Sequence, residues 1–405
     1  MELREGYKQT EVGVIPEDWD IKPLMSICSM KSGEGITNAN IYEGAKYPCF
    51  GGNGLRGFTN KFTHEGRYSL IGRQGALCGN VLGVHGQFFA SEHAIVVTPL
   101  KETDIEWLTY ILGRMNLNQY SESSAQPGLS VSKLLPLVVP LPPSKTEQTI
   151  IANALSDADA WIQSLTRLIA KKRQIKQGAM QFLLNPYENG RLKTGWVVNS
   201  VFDLAGRKKE LFDDGDWIEA EHITTQGIRL IQTGNIGVGH YVEKDAKKYI
   251  YEKSFKKLRC KQLYKGDLLI CRLAEPAGRA CIFPDIGEKK VVTSVDVTIF
   301  RPRSEVADRV YLTNFFSTPD WFKKVNESVG GTTHKRISRG SLGHIEVTLP
   351  PIEEQRTTAT ILSDMDAEIT ALKTKLSKAQ QIKQGMMQNL LTGKVRLVKV
   401  KGIAS

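Results

Sequence analysis

The segment from Leu141-Pro-Pro-Ser-Lys-Thr-Glu-Gln to Leu184 returns as Leu349-Pro-Pro-Ile-Glu-Glu-Gln to Leu391. From Glu147 onward the copies keep a constant offset of 207 residues, and about 20 of 38 positions are identical, far above chance. Gln174-Ile-Lys-Gln-Gly178 and Gln381-Ile-Lys-Gln-Gly385 match without a break. Any fold for this chain must use one half-molecule twice.

The regions in front of the two copies diverge but keep a common skeleton. Tyr68-Ser-Leu-Ile-Gly-Arg73, followed by Gly79, corresponds to Asp267-Leu-Leu-Ile-Cys-Arg272, followed by Gly278. Ala90 to Pro99 likewise corresponds to Thr293 to Pro302. Each reads as an apolar, β-branched strand ending at a Gly- or Pro-marked turn. The repeated segments read as helices: prolines stop the preceding strand, and Glu147, or Glu353 and Glu354, put acid in the first turn, where the helix dipole favours it.

Ile151, Leu155, Ala158, Ile162, Leu165 and Ile169 step by four and three, as do Thr358, Leu362, Met365, Ile369, Leu372, Leu376 and Ala379. That is a heptad seam, narrower than the face a globular helix buries. A helix of about 38 residues is roughly 57 Å long. Two such seams satisfy each other in an antiparallel pair; the competing arrangement packs each helix on its own domain and leaves a long seam unexplained. The expected fold is α+β, a pseudo-two-fold tandem repeat of two mostly β domains separated by two long helices in an antiparallel coiled coil. The boundaries are 1–143 and 191–350 for the β domains, 144–190 and 351–392 for the central and distal helices, and 393–405 for a C-terminal tail.

Composition narrows the class. The net charge of +11 suggests a polyanionic partner, and its distribution says more. Residues 1–150 carry 13 basic and 15 acidic side chains, a balance of −2, against 27 and 16, or +11, in residues 251–405. If the partner is a nucleic acid, the second half is expected to dominate the salt-sensitive part of the affinity. No apolar run reaches the roughly 18 residues of a membrane span, and the N-terminus lacks a secretory pattern, so the expected compartment is the cytoplasm. Cys28, Cys49, Cys78, Cys260, Cys271 and Cys281 have no metal or disulfide spacing and read as reduced, mostly buried thiols.

Catalytic constellations are missing. Gly52-Asn-Gly-Leu-Arg-Gly57 fits the dinucleotide pattern by letters, but no helix follows it and it reads as a turn. Asn185-Pro-Tyr187 reads as a helix stop. Pro284-Asp285 with Glu288-Lys-Lys290 reads as a turn, because two residues between the acids are too few for a nuclease metal site. The seven histidines form no metal pair, so no metal and no catalytic residue is assigned.

The two divergent domains, the near-identical helices opening on Leu-Pro-Pro, the start Gly6-Tyr-Lys-Gln-Thr-Glu-Val-Gly-Val-Ile-Pro-Glu-Asp-Trp19 and the repeated Gln-Ile-Lys-Gln-Gly together resemble the specificity (S) subunit of type I restriction-modification enzymes. The resemblance covers essentially the whole chain. It implies a non-catalytic subunit whose two target recognition domains each read one half of a bipartite, gapped site on double-stranded DNA. It also implies a coiled coil that sets the gap and docks two methyltransferase subunits. Those partners would hold S-adenosylmethionine, with motor-nuclease subunits joining to cleave unmodified DNA; no cofactor is expected in this chain. The alternative is an adaptor that joins partner subunits without reading sequence. A fused methyltransferase-specificity enzyme would need a catalytic domain that the chain lacks.

Phosphates need cations, and base edges need planar donors and acceptors. The expected DNA contacts are Asn53, Arg56, Lys61, Arg67, Arg73 and Gln74 in the first domain. In the second they are Arg229, Gln232, Thr233, Asn235, Arg272, Arg279, Lys335, Arg336 and Arg339, with Thr332-Thr-His-Lys-Arg336 standing where the first half has Gln126-Pro-Gly-Leu-Ser130. Lys253, Lys256, Lys257, Arg259 and Lys261 read as a solvated face and are left out. Lys171-Lys-Arg173 could face DNA across the gap. Gln174, Lys176, Gln177, Gln381, Lys383 and Gln384 are the expected partner-binding residues, with a dimerisation surface as the competing use.

Overall fold

The computed structural model describes residues 5–75, 77–121, 128–330 and 335–398. It forms two compact units, one of Met1–Arg167 with Thr374–Ser405 and the other of Leu168–Lys373. The division cuts through both long helices, Lys145–Leu183 and Ile352–Leu390, rather than between a helix and a domain. The seams account for this. Ile151, Leu155, Leu165 and Ile169 in one helix, and Thr358, Leu362, Ile369, Leu372 and Ala379 in the other, are buried, while Ala158, Ile162, Met365 and Leu376 are half-buried.

In the second unit Lys176 lies 2.6 Å from Asp366 and Lys172 lies 2.7 Å from Glu368. Rising numbers on one helix meet falling numbers on the other, so the pair is antiparallel. In the first unit Lys383 lies 2.5 Å from Asp159, whose second carboxylate oxygen accepts from the Tyr110 hydroxyl. At the 207-residue offset Asp159 matches Asp366 and Lys176 matches Lys383, so one ionic clasp is built twice.

The first unit holds a six-stranded sheet. Its order is Cys28–Ser32, Ala94–Pro99, His64–Gly72, Val81–Ala90, Tyr47–Gly51, Gly54–Thr59. All neighbours are antiparallel except Tyr47–Gly51 with Val81–Ala90. Its main core joins Trp19, Trp107 and Leu108 to Ile151 and Leu155 of the first long helix and to Leu390 and Leu391 at the end of the second. Arg396 closes this unit: two of its guanidinium nitrogens pair with the buried Glu147, at 2.6 and 2.8 Å, and the third pairs with Asp18 at 2.8 Å.

The second unit splits the same plan into two four-stranded sheets. One is ordered Phe212–Asp214, Val297–Phe300, Leu268–Cys271, Ala280–Ile282; the other Ile223–Thr224, Lys248–Ile250, Ile228–Ile231, Val291–Thr293. Its core gathers Phe212, Phe300, Tyr311 and Trp321 with Leu184, just past the first long helix, and with Ala359 and Leu362 of the second. In each unit the expected single strand over Ala90 to Pro99, or Thr293 to Pro302, is two strands separated by a turn. The polar letters Ser91-Glu-His93 and Ser294-Val-Asp296 cannot stay in a buried strand and bend out of it.

Domain and helix meet at the same joint in both units. The side-chain oxygen of Gln148, buried, accepts from the Asp104 amide at 2.8 Å, and that of Gln355 from the Asp308 amide at 3.0 Å. Their amide nitrogens donate to the carbonyls of Glu102 and Val306. Asp104 and Asp308 in turn cap the helices Ile105–Arg114 and Arg309–Phe315. Leucine at Gln148 or Gln355 keeps the volume but strands a buried donor and acceptor, so each variant is expected to lose roughly 2–3 kcal/mol. Urea unfolding reads this directly; a loss below about 0.5 kcal/mol would show the joint to be ornamental. Among the described residues, no helix is long and apolar enough to cross a membrane.

Candidate nucleic-acid interface

Four turns of the first unit converge at one end of its sheet. The Arg73 amide donates to the His93 carbonyl at 2.9 Å, Leu129 to Arg73 at 2.9 Å, Ser91 to Phe50 at 2.8 Å and Glu34 to Ala90 at 2.9 Å. Gly52 is tight against this junction: a Cβ there would lie 3.0 Å from both the Gln74 and the His93 carbonyl oxygens. The second unit repeats the frame. Arg272 donates to Asp296 at 2.8 Å, Ile337 to Arg272 at 3.0 Å, Ser294 to Ile231 at 3.0 Å and Asp216 to Thr293 at 2.8 Å. The backbone scaffold is the same and the side chains on it differ.

On the first frame His93 Nδ1 donates to Gln74 Oε1 at 3.1 Å, and Glu92 lies 3.1 Å from His93 Nε2. On the second, at the matching place, Arg336 pairs with Asp296 at 2.8 Å. These cross-turn pairs present a mixed donor and acceptor edge, the chemistry that base edges require. Glu92, His93 and Asp296 were not expected from the sequence; the polar triplets inside apolar runs were the available signal.

The frame gathers some of the expected residues and excludes others. Asn53 and Gln74 are exposed on it, and Arg73 is half-buried there, its side chain making no hydrogen bond or ion pair to another described residue. Arg56 donates to Asn38 at 3.1 Å, while its other terminal nitrogen, like the Ser91 hydroxyl, is buried without a partner among the described residues. Lys61 and Arg67 do not belong to it. Each lies about six strand residues from the turns, roughly 20 Å along the sheet, and Arg67 pairs with Glu106.

In the second unit Gln232 and Thr233 sit half-buried on the turn, and Lys335 and Arg336 are exposed. Thr332, Thr333, His334, Gln126 and Pro127 lie outside the described residues. Four expected contacts are internal instead. Arg229, 2% exposed, donates to the carbonyls of Leu230 and Lys248 and pairs with Glu243 at 2.9 Å. Arg272, also 2% exposed, donates to the carbonyls of Ile337 and Val295 and sits 3.1 Å from Asp214. Asn235 is buried between the Gln232 amide and the Val242 carbonyl. Arg279 spends its guanidinium on the carbonyls of Ile236, Leu273, Pro276 and Thr233, tying two turns together. Arginines donating to backbone carbonyls in this way are held by the fold and are not free for a ligand. Arg339 is likewise engaged, with Asp213.

Burial raises the carboxyl pKa of Asp214 and Asp216 despite the cations Arg272 and Lys261 beside them. It also pushes the thiols of Cys28, Cys260 and Cys281 up to about 12, and all six cysteines are free and buried. On the helices, Lys176 and Lys383 are the clasp lysines rather than open partner contacts, and Lys172 is held by Glu368. Gln174, Gln177, Gln381 and Gln384 are exposed. Between them stand Ile175 and Ile382, 46% and 44% exposed, the same apolar spot in each unit.

Residues 16–177 and 202–384 each match the family described as type I restriction modification DNA specificity domain. The type I restriction enzyme EcoprrI specificity subunit of Escherichia coli is 46% identical over 151 residues, covering 36% of this chain and 37% of that protein. The MjaVIII specificity subunit of Methanocaldococcus jannaschii is 23% identical over 414 residues, covering 97% of this chain and 96% of that protein. Among solved structures, the type I restriction-modification system S subunit from M. genitalium shares the fold with a TM-score of 0.64 at 18% identity, over 96% of this chain and 98% of that one.

Proposed function

The chain belongs to the type I restriction-modification DNA specificity family, and from that premise we propose that each unit's turn cluster reads one half of a two-part, gapped site on double-stranded DNA. The observation that carries this is one hydrogen-bonded backbone frame built twice with different polar side chains on it. Two frames of equal shape present two different half-site readers. Asn53, Arg56, Arg73, Gln74, Glu92 and His93 would read the first half, and Gln232, Thr233, Lys335, Arg336 and Asp296 the second.

In this reading the paired helices set the gap and dock two methyltransferase subunits, one at Gln174, Ile175 and Gln177 and one at Gln381, Ile382 and Gln384. The identical exposed motif supports two equivalent docks. The chain itself carries no catalytic step. The partners supply S-adenosylmethionine and methylate adenine, and motor-nuclease subunits join the same complex. Co-expression with the methyltransferase subunit, followed by genome-wide mapping of methylated adenines, is expected to return a gapped motif of two dissimilar halves. A stable complex that leaves DNA unmodified would instead favour an adaptor that joins subunits without reading sequence.

A further inference from the structure

We propose that the outer surface of the helix Glu252–Lys257, with the segments flanking it, is a sequence-independent contact for the DNA phosphate backbone, extending the second unit's grip beyond its base-reading turns. The inference rests on the DNA-reading role assigned above. It concerns a run that the sequence suggested was only a solvated face.

The inner side of this short helix is spent on the fold. Ser254 is buried, and Phe255 and Leu258 pack on Ile228, Leu230, Ile250 and Val292. Its outer side and surroundings carry an excess of cations: Glu252 is answered by Lys290 at 3.6 Å and Glu243 by Lys247 at 3.8 Å, and more lysines remain. Lys244, Lys248, Lys256, Lys257, Arg259 and Lys289 are exposed, and none makes an ion pair with a described residue. Lys253 is exposed too, lying over the Tyr251 ring at 5.6 Å. The helix dipole explains lysines in the last turn but not those on the neighbouring strand and turns. Elsewhere in the same unit cations are routinely matched, as Arg272 is by Asp214, Arg301 by Asp267 and Arg336 by Asp296. An unmatched cluster repels itself until a polyanion neutralises it.

Arg259 adds a second observation. It follows the helix in the left-handed region at φ 51°, where glycine or asparagine is the usual occupant and an arginine costs roughly 1 kcal/mol. Its side chain makes no hydrogen bond or ion pair with a described residue that would offset the cost.

The surface is also joined to the reading frame. Lys244 Nζ lies against Gly234 in the Thr233–Asn235 turn, where any side chain would collide with it. At the other end, the Lys261 amide donates to Asp216 at 2.8 Å, and Asp216 belongs to the frame. A duplex seated on the turns therefore meets these lysines next. Phosphate is the ligand that fits: point charges on flexible stems carry no base information but release counterions.

The test uses the complex with its methyltransferase subunits and measures binding to a target duplex and a scrambled duplex between about 50 and 300 mM salt, the range over which counterion release is felt. K253Q/K256Q/K257Q keeps the stems and removes the charge. Its log–log salt slope is expected to fall by between about 1 and 3, near 0.9 for each phosphate no longer neutralised, equally on both duplexes and with the methylated motif unchanged. An unchanged slope, a slope altered on the target duplex alone, or loss of subunit assembly, as an acidic protein partner would give, overturns the proposal. Arg259→Gly relieves the left-handed backbone and so tests the same surface should the triple variant fold poorly; its slope is expected to fall by about 1 with stability equal or higher. A wild-type complex that binds in a salt-dependent way but methylates no two-part motif would sink the sequence-reading role and leave this surface standing.

Discussion

Arg272→Met should destabilise the second unit by about 3–5 kcal/mol, because removing one partner of a buried pair leaves the other charge and its acceptors stranded. The guanidinium is 2% exposed; without it Asp214 loses its ion-pair partner and the carbonyls of Ile337 and Val295 lose a donor inside the unit. At about 2–4 °C per kcal/mol for a body of this size, the thermal midpoint should drop by roughly 10 °C. The deficit should also depend on pH. Burial already holds the Asp214 pKa above its ordinary value while Arg272 pulls it down, so losing Arg272 raises it further. A carboxyl whose folded pKa is raised contributes stability below its unfolded value, near 4, and loses that contribution as pH rises through the folded pKa. The variant should therefore be closer to wild type at about pH 4.5 than at about pH 8, and calorimetry at both values decides; a larger deficit at the lower pH would refute the assignment. Arg73 occupies the same place in the first frame with no internal partner for its side chain among the described residues, so Arg73→Ala should cost under about 0.5 kcal/mol and weaken only the first half of the methylated motif.

That contrast shows what the sequence could and could not carry. The tandem plan, the antiparallel helices and the buried seam were legible because identity at offset 207 and heptad spacing are properties of the letters themselves. The Gly52 turn and the helix stop at Asn185 were legible for the same local reason; the helix ends at Leu183, and the Tyr187 amide bonds to the Asn185 side chain. Arg73 and Arg272 share a skeleton position and looked interchangeable, yet the first has no ionic partner among the described residues and the second is buried against Asp214. A side chain's charge is written in the sequence, whereas its partner, 58 residues away for Arg272 and Asp214, is a tertiary fact. Lys176 and Lys383 misled in the same way. Their repetition suggested a shared partner surface, and the partner is the repeated aspartate of the opposite helix. His93 and Asp296 were hidden inside runs apolar enough to read as one strand, and only the fold shows that the polar letters mark the turn where the hydrogen-bonded backbone frames close.

Removing one heptad from both long helices should shorten the gap between the two half-sites by about 3 base pairs, since seven residues amount to about 10.5 Å of helix and the duplex rises about 3.4 Å per base pair. The cuts must be matched. Lys172 with Glu368 and Lys176 with Asp366 set a register in which 167–173 faces 368–374, so deleting these two segments removes the Lys172 pair whole and keeps both the clasp and the Gln174 dock. Seven residues return a helix to within about 20° of its starting face, so the remaining seam stays aligned. Deleting 167–173 alone would set Lys176 against apolar seam positions and is expected to abolish the folded complex, which makes it the control for matched pairing. Methylation mapping of the doubly shortened chain should return the same two half-sites at the new gap, with the original gap methylated roughly 100-fold more slowly, the scale of one or two mismatched base pairs in a specific site. Recovery of the original gap at wild-type rate would remove the helices from the role of ruler and leave them as docks alone.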